Sequence, residues 1–180
     1  MMEQDMQEIL FTREQLSSRI KELAAQISED YRGKAPVVIG ILRGCFIFMA
    51  DLVRELDIPQ MTLDFMSVSS YGKGTVSSGL VNIKLDTSET ITGRDVILVE
   101  DILDTGNTLS KLVEELGKRN PASLRLCVLL DKTERRVTPI QADYVCFQIP
   151  DGFVVGCGLD YNQQYRQLEY VGILKPEIYE

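Results

Sequence analysis

Acidic and hydroxyl side chains are concentrated in one stretch, residues 96–109, where they follow an apolar run. Glu100 and Asp101 come directly after that run, and the turn Asp104-Thr-Gly-Asn-Thr108 precedes a helical pattern. Such a turn offers consecutive backbone N–H groups, hydroxyls and a helix N-terminus, which suit a phosphate monoester. Adjacent carboxylates suit a sugar diol or a Mg²⁺ ion. The stretch therefore predicts a ribose 5-phosphate site made of Glu100, Asp101, Asp104, Thr105, Gly106, Asn107 and Thr108.

Two other interpretations of this stretch compete with the ribose phosphate site. Asp104-Thr-Gly is compatible with a simple helix N-cap turn. However, three acidic residues within five positions repel one another unless a cation or a polyol is bound. Asp-Thr-Gly is also the signature of aspartic proteases, which are all-β proteins. Here a helical pattern follows the motif directly, which argues against a protease.

The composition limits the chemistry and the partners. The 180 residues contain no His, which excludes Ser–His and Cys–His catalysis and His-ligated metals. The formal net charge of −8 argues against nucleic acid and anionic membrane partners. No apolar run approaches the roughly 18 residues of a membrane span. The four cysteines form no C-x-x-C pair and are expected as buried free thiols. We therefore expect a cytoplasmic protein.

The periodicity of the apolar residues predicts an α/β fold. A first helix is expected to begin at a capping box formed by Thr12 and Gln15. Further helices are predicted over 46–56 and 107–119, and strands over 37–42, 61–68, 80–85, 96–99, 124–130, 144–149 and 153–156. The segment 69–79 is rich in Gly and Ser and predicts a long mobile loop. Strands alternating with helices indicate a mainly parallel sheet, which binds ligands at the carboxyl ends of its strands.

The stretch 96–109 resembles the phosphoribosyl pyrophosphate motif of type I phosphoribosyltransferases. Its sequence is Val-Ile-Leu-Val-Glu-Asp-Ile-Leu-Asp-Thr-Gly-Asn-Thr-Leu. Further matches, in family order between residues 37 and 171, narrow the resemblance to the hypoxanthine-guanine phosphoribosyltransferases. They are Leu42-Arg-Gly-Cys45, Ser69-Ser-Tyr-Gly72, Asp131-Lys132, and the segments 149–156 and 159–162 followed by Arg166. Arg43 and Cys45 depart from many members, which have Lys and Ser there.

The resemblance implies the type I phosphoribosyltransferase fold. This fold has a central, mainly parallel sheet flanked by helices, with a small hood and a flexible lid loop. We expect a single domain over residues 1–180, with a core at about 10–145. The hood would comprise the N-terminal segment and about 146–180. The resemblance also implies a cis peptide bond between Leu42 and Arg43.

The implied reaction joins a 6-oxopurine to phosphoribosyl pyrophosphate. It yields a nucleoside 5′-monophosphate and pyrophosphate, with Mg²⁺ as the cofactor, in purine salvage. The resemblance assigns pyrophosphate binding to Arg43, Gly44 and Arg166. It assigns the metal to Glu100, Asp101 and Asp160. Ser70 and Tyr71 would approach the pyrophosphate from the lid.

For the purine, the resemblance makes Asp104 the candidate catalytic base at N7. Lys132 would donate a hydrogen bond to the oxygen at position 6, and Phe153 would stack on the ring. Val154 would supply backbone hydrogen bonds, and Asp160 would lie near position 2. The residues do not rank hypoxanthine, guanine and xanthine.

Two other functions within the same fold stay open at this point. One is a regulator that binds RNA or DNA and uses phosphoribosyl pyrophosphate only as an effector; the acidic net charge argues against it. The other is a phosphoribosyltransferase for adenine, orotate or uracil. The amine of Lys132 favours a carbonyl acceptor and hence a 6-oxopurine over adenine. The family suggests a homodimer or a homotetramer.

Overall fold

A computed structural model describes residues 2–70 and 81–179, without the side chains of Ser70 and Val81. The predicted lid residue Tyr71 and positions 72–79 of the predicted mobile loop lie outside the described residues. In chain order the elements are β1 (Met6–Phe11), α1 (Arg13–Asp30), β2 (Val37–Leu42), α2 (Phe46–Glu55), β3 (Thr62–Ser70), β4 (Val81–Leu85), β5 (Asp95–Leu103), α3 (Asn107–Gly117), β6 (Ser123–Asp131), β7 (Tyr144–Gln148), β8 (Val154–Val155), β9 (Val171–Leu174) and α4 (Pro176–Tyr179). Short 3₁₀ turns span Met2–Asp5 and Thr133–Arg135.

The main sheet has the strand order β4-β3-β2-β5-β6-β7. All neighbouring pairs are parallel except β3 and β4, which are antiparallel. The α/β fold class with a mainly parallel sheet is therefore confirmed. Because β2, β5 and β6 are adjacent and parallel, their carboxyl ends meet at one edge of the sheet. The loops after these three strands carry residues predicted for the pyrophosphate, the ribose phosphate and the purine.

Helices cover both faces of the main sheet. The helix α1 begins at Thr12, where the predicted capping box with Gln15 is confirmed. Its buried face packs with α2 against alternate strand residues such as Val38 and Val99. The opposite face of the sheet packs against α3. Side chains alternate between the two faces of a strand, so these continuous apolar strands are buried on both sides.

A second sheet, with the order β1-β9-β8, joins the first described strand to the last two. Both of its strand pairs are antiparallel. The strands β1 and β9 and the helix α4 were not predicted from the sequence. In β1 a single fully buried residue precedes three exposed ones, so no two-residue alternation is visible. Only the long-range pairing with β9 makes this segment a strand.

Two strands are longer than the sequence indicated. The prediction that β5 ends at Val99 was wrong, because the strand continues to Leu103. The reason is that β6 runs alongside it over this length, pairing Glu100 with Val128 and Leu103 with Asp131. Similarly, β3 extends to Ser70 through antiparallel pairing with β4, so positions 69 and 70, which were predicted as loop, belong to a strand.

The cysteines and the helices agree with the expectations from composition. All four cysteines are buried free thiols. Burial raises the pKa of Cys45 and Cys157, the two nearest the predicted site, so both are neutral near pH 7. None of the helices described is long and apolar enough to cross a membrane.

The arginine Arg136 ties together the carboxyl ends of β5 and β6. Its guanidinium donates to the carbonyl oxygens of Leu103 (3.2 Å), Asp104 (2.9 Å) and Ile140 (2.6 Å). It also pairs with the carboxylate of Asp131, which is only 7% exposed. The planar fork of arginine suits such a set of acceptors. Arg136 thus fixes the backbone on both sides of the predicted site.

We expect Arg136→Ala to lower the free energy of unfolding by about 3–5 kcal/mol, because it leaves the buried Asp131 charge unpaired. The matched control is Arg125→Ala, which removes a half-exposed arginine 3.6 Å from Asp143. That change should lower the free energy by less than about 1 kcal/mol. Urea unfolding of both variants measures the difference. Equal, small losses in the two variants would contradict the role given to Arg136.

Candidate active site

The turn between β5 and α3 forms the floor of a cavity of about 260 Å³. Its lining contains Glu100 and all five residues of the turn 104–108, as predicted for a ribose phosphate site. At Gly106 the backbone is left-handed (φ 83°), and a Cβ would lie 2.3 Å from Thr138 Oγ1. Only glycine fits this position without strain. The turn leads into the N-terminus of α3, whose backbone N–H groups suit a phosphate.

The adjacent carboxylates of Glu100 and Asp101 have different surroundings. Glu100 lines the cavity, and its Oε2 is buried without a hydrogen-bond partner among the groups described. Asp101 points elsewhere, because successive side chains of a strand face opposite sides. The backbone N–H of Ile102 donates to its Oδ1 at 2.7 Å. The strand therefore separates the two predicted ligands of the ribose diol.

Burial makes both carboxylates unusually basic. Burial, and then the neighbouring Asp101, raises the pKa of Glu100 well above its usual value. Burial raises the pKa of Asp101 to about 6, although the guanidinium of Arg166 counteracts the shift. A cation or hydroxyl donor at this position would relieve the unfavourable burial.

The loop after β2 packs directly against Asp101. A Cβ on Gly44 would lie 1.5 Å from Asp101 Oδ2, so the carboxylate occupies the space that a side chain would need. In turn, a Cβ on Gly158 would lie 2.0 Å from the carbonyl oxygen of Gly44. The peptide bond between Leu42 and Arg43 is cis, as the resemblance implies. Two glycines therefore allow three backbone segments to meet at Asp101.

Two arginines predicted for pyrophosphate converge beside this contact. Arg43 Nη1 donates to Gln163 Oε1 at 3.0 Å, and Arg166 Nη2 donates to the same oxygen at 3.3 Å. Arg166 also donates to the carbonyl of Gly158 and pairs with Asp160 Oδ1 at 2.7 Å. The second oxygen of Asp160 accepts the backbone N–H of Gln163. The predicted residues Arg43, Gly44 and Arg166 are thus brought together, with Gln163 as the bridge between the arginines.

A further cavity, of about 420 Å³, lies next to the ribose phosphate cavity and shares Ile102 and Asp104 with it. The predicted purine residues Lys132, Phe153 and Val154 line it. Asp160, which was predicted for the purine and for the metal, lies instead beside Arg166. Asp104 stands at the junction of the two cavities.

The charged groups of this further cavity are held in place by neighbouring groups. Lys132 is buried, and its ammonium donates to the carbonyl of Gly152 at 2.5 Å. Its Nζ lies 3.6 Å from Asp151 Oδ1. Asp104 Oδ1 is buried and accepts no hydrogen bond from the described groups. The nearest cation is Arg135, whose Nε lies 3.6 Å away. Asp104 Oδ1 is therefore an acceptor without a hydrogen-bond donor among the described groups, beside the guanidinium of Arg135.

The carboxylates fit a divalent metal ion that arrives with a phosphate ligand. The described residues contain no group of three or more His, Cys, Asp or Glu side chains able to hold a metal by themselves. Glu100 Oε2 is an unused buried acceptor, whereas Asp160 is paired with Arg166. Mg²⁺ is usually held by one or two protein carboxylates together with substrate phosphates and water. This incomplete ligand set suits Mg²⁺ in that form.

Several residues of the site were not singled out from the sequence. Arg135 and Arg136 follow Lys132 at a strand end, and a basic pair there was a usable signal. Gln163 carried no such signal, because its role depends on two arginines far from each other in the chain. Ile102 looked like an ordinary strand residue, although it lines both cavities.

Comparison with known proteins agrees with this geometry. The model of the phosphoribosyl transferase domain matches residues 6–162. The hypoxanthine-guanine phosphoribosyltransferase of Streptococcus pneumoniae is 49% identical over 179 residues, which is 99% of each chain. That of Bacillus subtilis is 46% identical over 180 residues, covering 100% of this chain and 99% of its own. A solved hypoxanthine phosphoribosyltransferase of Staphylococcus aureus superposes with a TM-score of 0.95 at 48% identity, covering 99% of this chain and 97% of its own.

The chain therefore belongs to the phosphoribosyl transferase family. Its full-length relatives within that family include the hypoxanthine-guanine phosphoribosyltransferases. The resemblance of the stretch 96–109 and the type I phosphoribosyltransferase fold are both confirmed.

We expect Asp101→Asn to stabilise the protein at alkaline pH. The pKa of Asp101 is about 6 when folded, against about 3.9 in an unfolded chain. The folded state thus binds this proton more tightly, and ionisation above pH 6 destabilises it. The variant keeps the acceptor for the Ile102 N–H and should gain about 1–3 kcal/mol at pH 8. The gain should shrink as the pH falls through 6 and vanish near pH 4.

Urea unfolding at pH 8, 6 and 4 measures this dependence. The control is Asp86→Asn, because hydrogen bonds from Arg119 lower the pKa of Asp86. Its ionised form therefore stabilises the fold, and the control variant should be less stable than the wild type at pH 8. An Asp101→Asn variant that is no more stable than the wild type at pH 8 would show that burial does not strain this carboxylate.

Proposed function

We propose that this chain transfers the 5-phosphoribosyl group from phosphoribosyl pyrophosphate to hypoxanthine and guanine. The products are the nucleoside 5′-monophosphates IMP and GMP, together with pyrophosphate, and the reaction serves purine salvage. The observation that carries this proposal is the junction at Asp104. This carboxylate belongs to the turn 104–108 and also borders the cavity lined by Lys132 and Phe153. The names of the full-length relatives support the same reaction.

The ribose phosphate is bound and oriented by the end of β5 and the start of α3. The turn 104–108 would accept the 5-phosphate, and Glu100 and Asp101 would hold the ribose diol. Arg43, Gly44 and Arg166 would surround the pyrophosphate, where arginine forks suit phosphate oxygens. Mg²⁺ bound with the substrate would neutralise charge on the leaving pyrophosphate. Glu100 and Asp101 would hold this metal through the ribose diol. Asp160 would leave its partner Arg166 and lie near a second Mg²⁺.

The purine must lose a proton as its ring nitrogen bonds to the anomeric carbon. Asp104 is proposed to accept that proton from N7, since its Oδ1 is a free acceptor at the junction. Lys132 would turn its ammonium from the Gly152 carbonyl towards the oxygen at position 6 and stabilise the developing negative charge. Phe153 would stack on the base. Val154 would supply backbone contacts, and Asp160 is kept as a proposed contact near position 2.

Exclusion of water is assigned to a lid that includes Ser70 and Tyr71. A reactive centre of oxocarbenium character would otherwise be hydrolysed.

We assign the core to about 10–145 within a single domain, 1–180. The N-terminal segment and about 146–180 form the hood. The free, buried thiols support a cytoplasmic location. The net charge of −8 argues against a nucleic acid partner.

Steady-state assays with phosphoribosyl pyrophosphate and Mg²⁺ test the proposal directly. Hypoxanthine and guanine should be converted, and adenine should not, because the Lys132 amine needs a carbonyl acceptor. Chelation of Mg²⁺ should abolish turnover, and added Mg²⁺ should restore it. In the same assay Asp104→Asn should lose at least about tenfold in kcat with KM values roughly kept.

The matched control is Asp57→Asn, which changes an exposed carboxylate outside both cavities and should leave kcat unchanged. Conversion of adenine but not hypoxanthine would refute the purine assignment. Full turnover by Asp104→Asn would refute the role of Asp104 as the base.

We further propose that the partner in solution is a second copy of this chain, in a homodimer or homotetramer. Three exposed apolar side chains lie on the α2 side of the sheet. They are Phe46, Leu63 and Phe65, which are 45%, 45% and 39% exposed. The ring of Phe65 and Met49 of α2 both approach Gly40, which places them on the same face. Closed symmetric assemblies are the usual use of such a face.

Leu63→Lys should therefore shift the protein from the dimer or tetramer towards the monomer in sedimentation equilibrium. Val137→Lys is the control, since Val137 is 68% exposed and lies after the β6 loop, away from this face. A monomeric wild type at micromolar concentration would refute the second copy as partner.

A further inference from the structure

The ring of Phe153 is held by two tyrosines. Phe153 is 36% exposed and lines the purine cavity. Tyr161 meets it edge to face, with ring centroids 5.5 Å apart and planes at 88°. Tyr179 stacks on it, with centroids 4.9 Å apart and planes at 24°. The proposed function uses the Phe153 ring as a stacking surface but gives Tyr179 no role.

Tyr179 reaches Phe153 through the second sheet. The strand β9 pairs with β8, and the backbone N–H of Leu174 donates to the carbonyl of Phe153 at 2.8 Å. The chain then continues into α4, where the N–H of Lys175 donates to the carbonyl of Asp5 at 2.9 Å. These hydrogen bonds fix the start of α4 relative to Phe153. The position of Tyr179 is therefore set by the fold and not by a ligand.

The side chains of α4 are also anchored. Ile178 and Tyr179 pack against a small cluster formed by Met6, Val155, Tyr165 and Leu174. Tyr179 is in addition one of the residues that line the purine cavity. It thus touches both the packed interior of the second sheet and the space that the base would occupy.

We propose that Tyr179 is a positioning residue of the purine site. Tyr179 covers one face of the Phe153 ring. It thereby holds the ring so that its uncovered surface faces the cavity. Stacked aromatic pairs prefer particular ring orientations and contribute free energy beyond that of the surface area they bury. A base that stacks on Phe153 then binds to a ring that is already ordered, which reduces the entropy lost on binding. The inference rests on the proposed function, because it requires that the cavity takes a purine.

The test compares Tyr179→Ala and Tyr179→Phe in steady-state assays with hypoxanthine and phosphoribosyl pyrophosphate. Tyr179→Ala should raise the KM for hypoxanthine by about three- to tenfold, the range expected from loss of one aromatic stack. The KM for phosphoribosyl pyrophosphate and the kcat should change by less than about twofold. Tyr179→Phe keeps the ring and should restore the wild-type KM for hypoxanthine.

Ile178→Ala is the matched control, because Ile178 shares the short helix and the cluster but makes no aromatic pair with Phe153. It should leave both KM values unchanged. An unchanged or lowered KM for hypoxanthine in Tyr179→Ala would overturn the proposal, and the lowered value would identify Tyr179 as a plug of the cavity. An equal rise in Ile178→Ala would overturn it in favour of undocking of α4. A wild type inactive on hypoxanthine would instead refute the proposed function itself.

Discussion

The burial of two adjacent carboxylates at the end of β5 is the constraint on which the rest of the site depends. Glu100 and Asp101 are half-buried near the end of β5, and burial raises the pKa of each. This arrangement lowers the stability of the folded state unless a ligand supplies cations or hydroxyl donors. Because neighbouring strand residues face opposite sides, Glu100 lies towards the turn 104–108 and Asp101 lies towards the arginines.

The surrounding backbone is adapted to these two groups. Gly44 and Gly158 leave room for Asp101 and for each other, which brings the segment after β8 against the loop after β2. The segment after Gly158 then supplies Arg166, whose positive charge counteracts the rise in the pKa of Asp101. On the other side, Arg136 holds the ends of β5 and β6. The positions of Asp104 and Lys132 therefore follow from the same set of contacts.

The residues themselves predicted the part of the site that is contiguous in the chain, and the family resemblance predicted separate segments such as those of Arg43 and Arg166. The turn 104–108 could be recognised because its glycine, hydroxyls and following helix are successive residues. Gln163 could not, since it acts only where two distant arginines converge. Tyr179 likewise depends on the pairing of β8 with β9, and β9 was not predicted. The true length of β5 depends on β6 and is invisible in its own residues, because carboxylates after an apolar run are typical of a loop.

The most direct test of the account is a carbon-13 NMR titration of the side-chain carboxyl groups, recorded without and with Mg²⁺ and phosphoribosyl pyrophosphate. In the free protein one aspartate resonance should titrate with a pKa of about 6, and it should be absent from Asp101→Asn. Binding of the ligand should move that titration to lower pH, because the ionised carboxylate is then stabilised. If every aspartate of the free protein titrated at its ordinary value, or if the ligand left the shifted resonance unchanged, the buried acidic pair would not be the basis of binding.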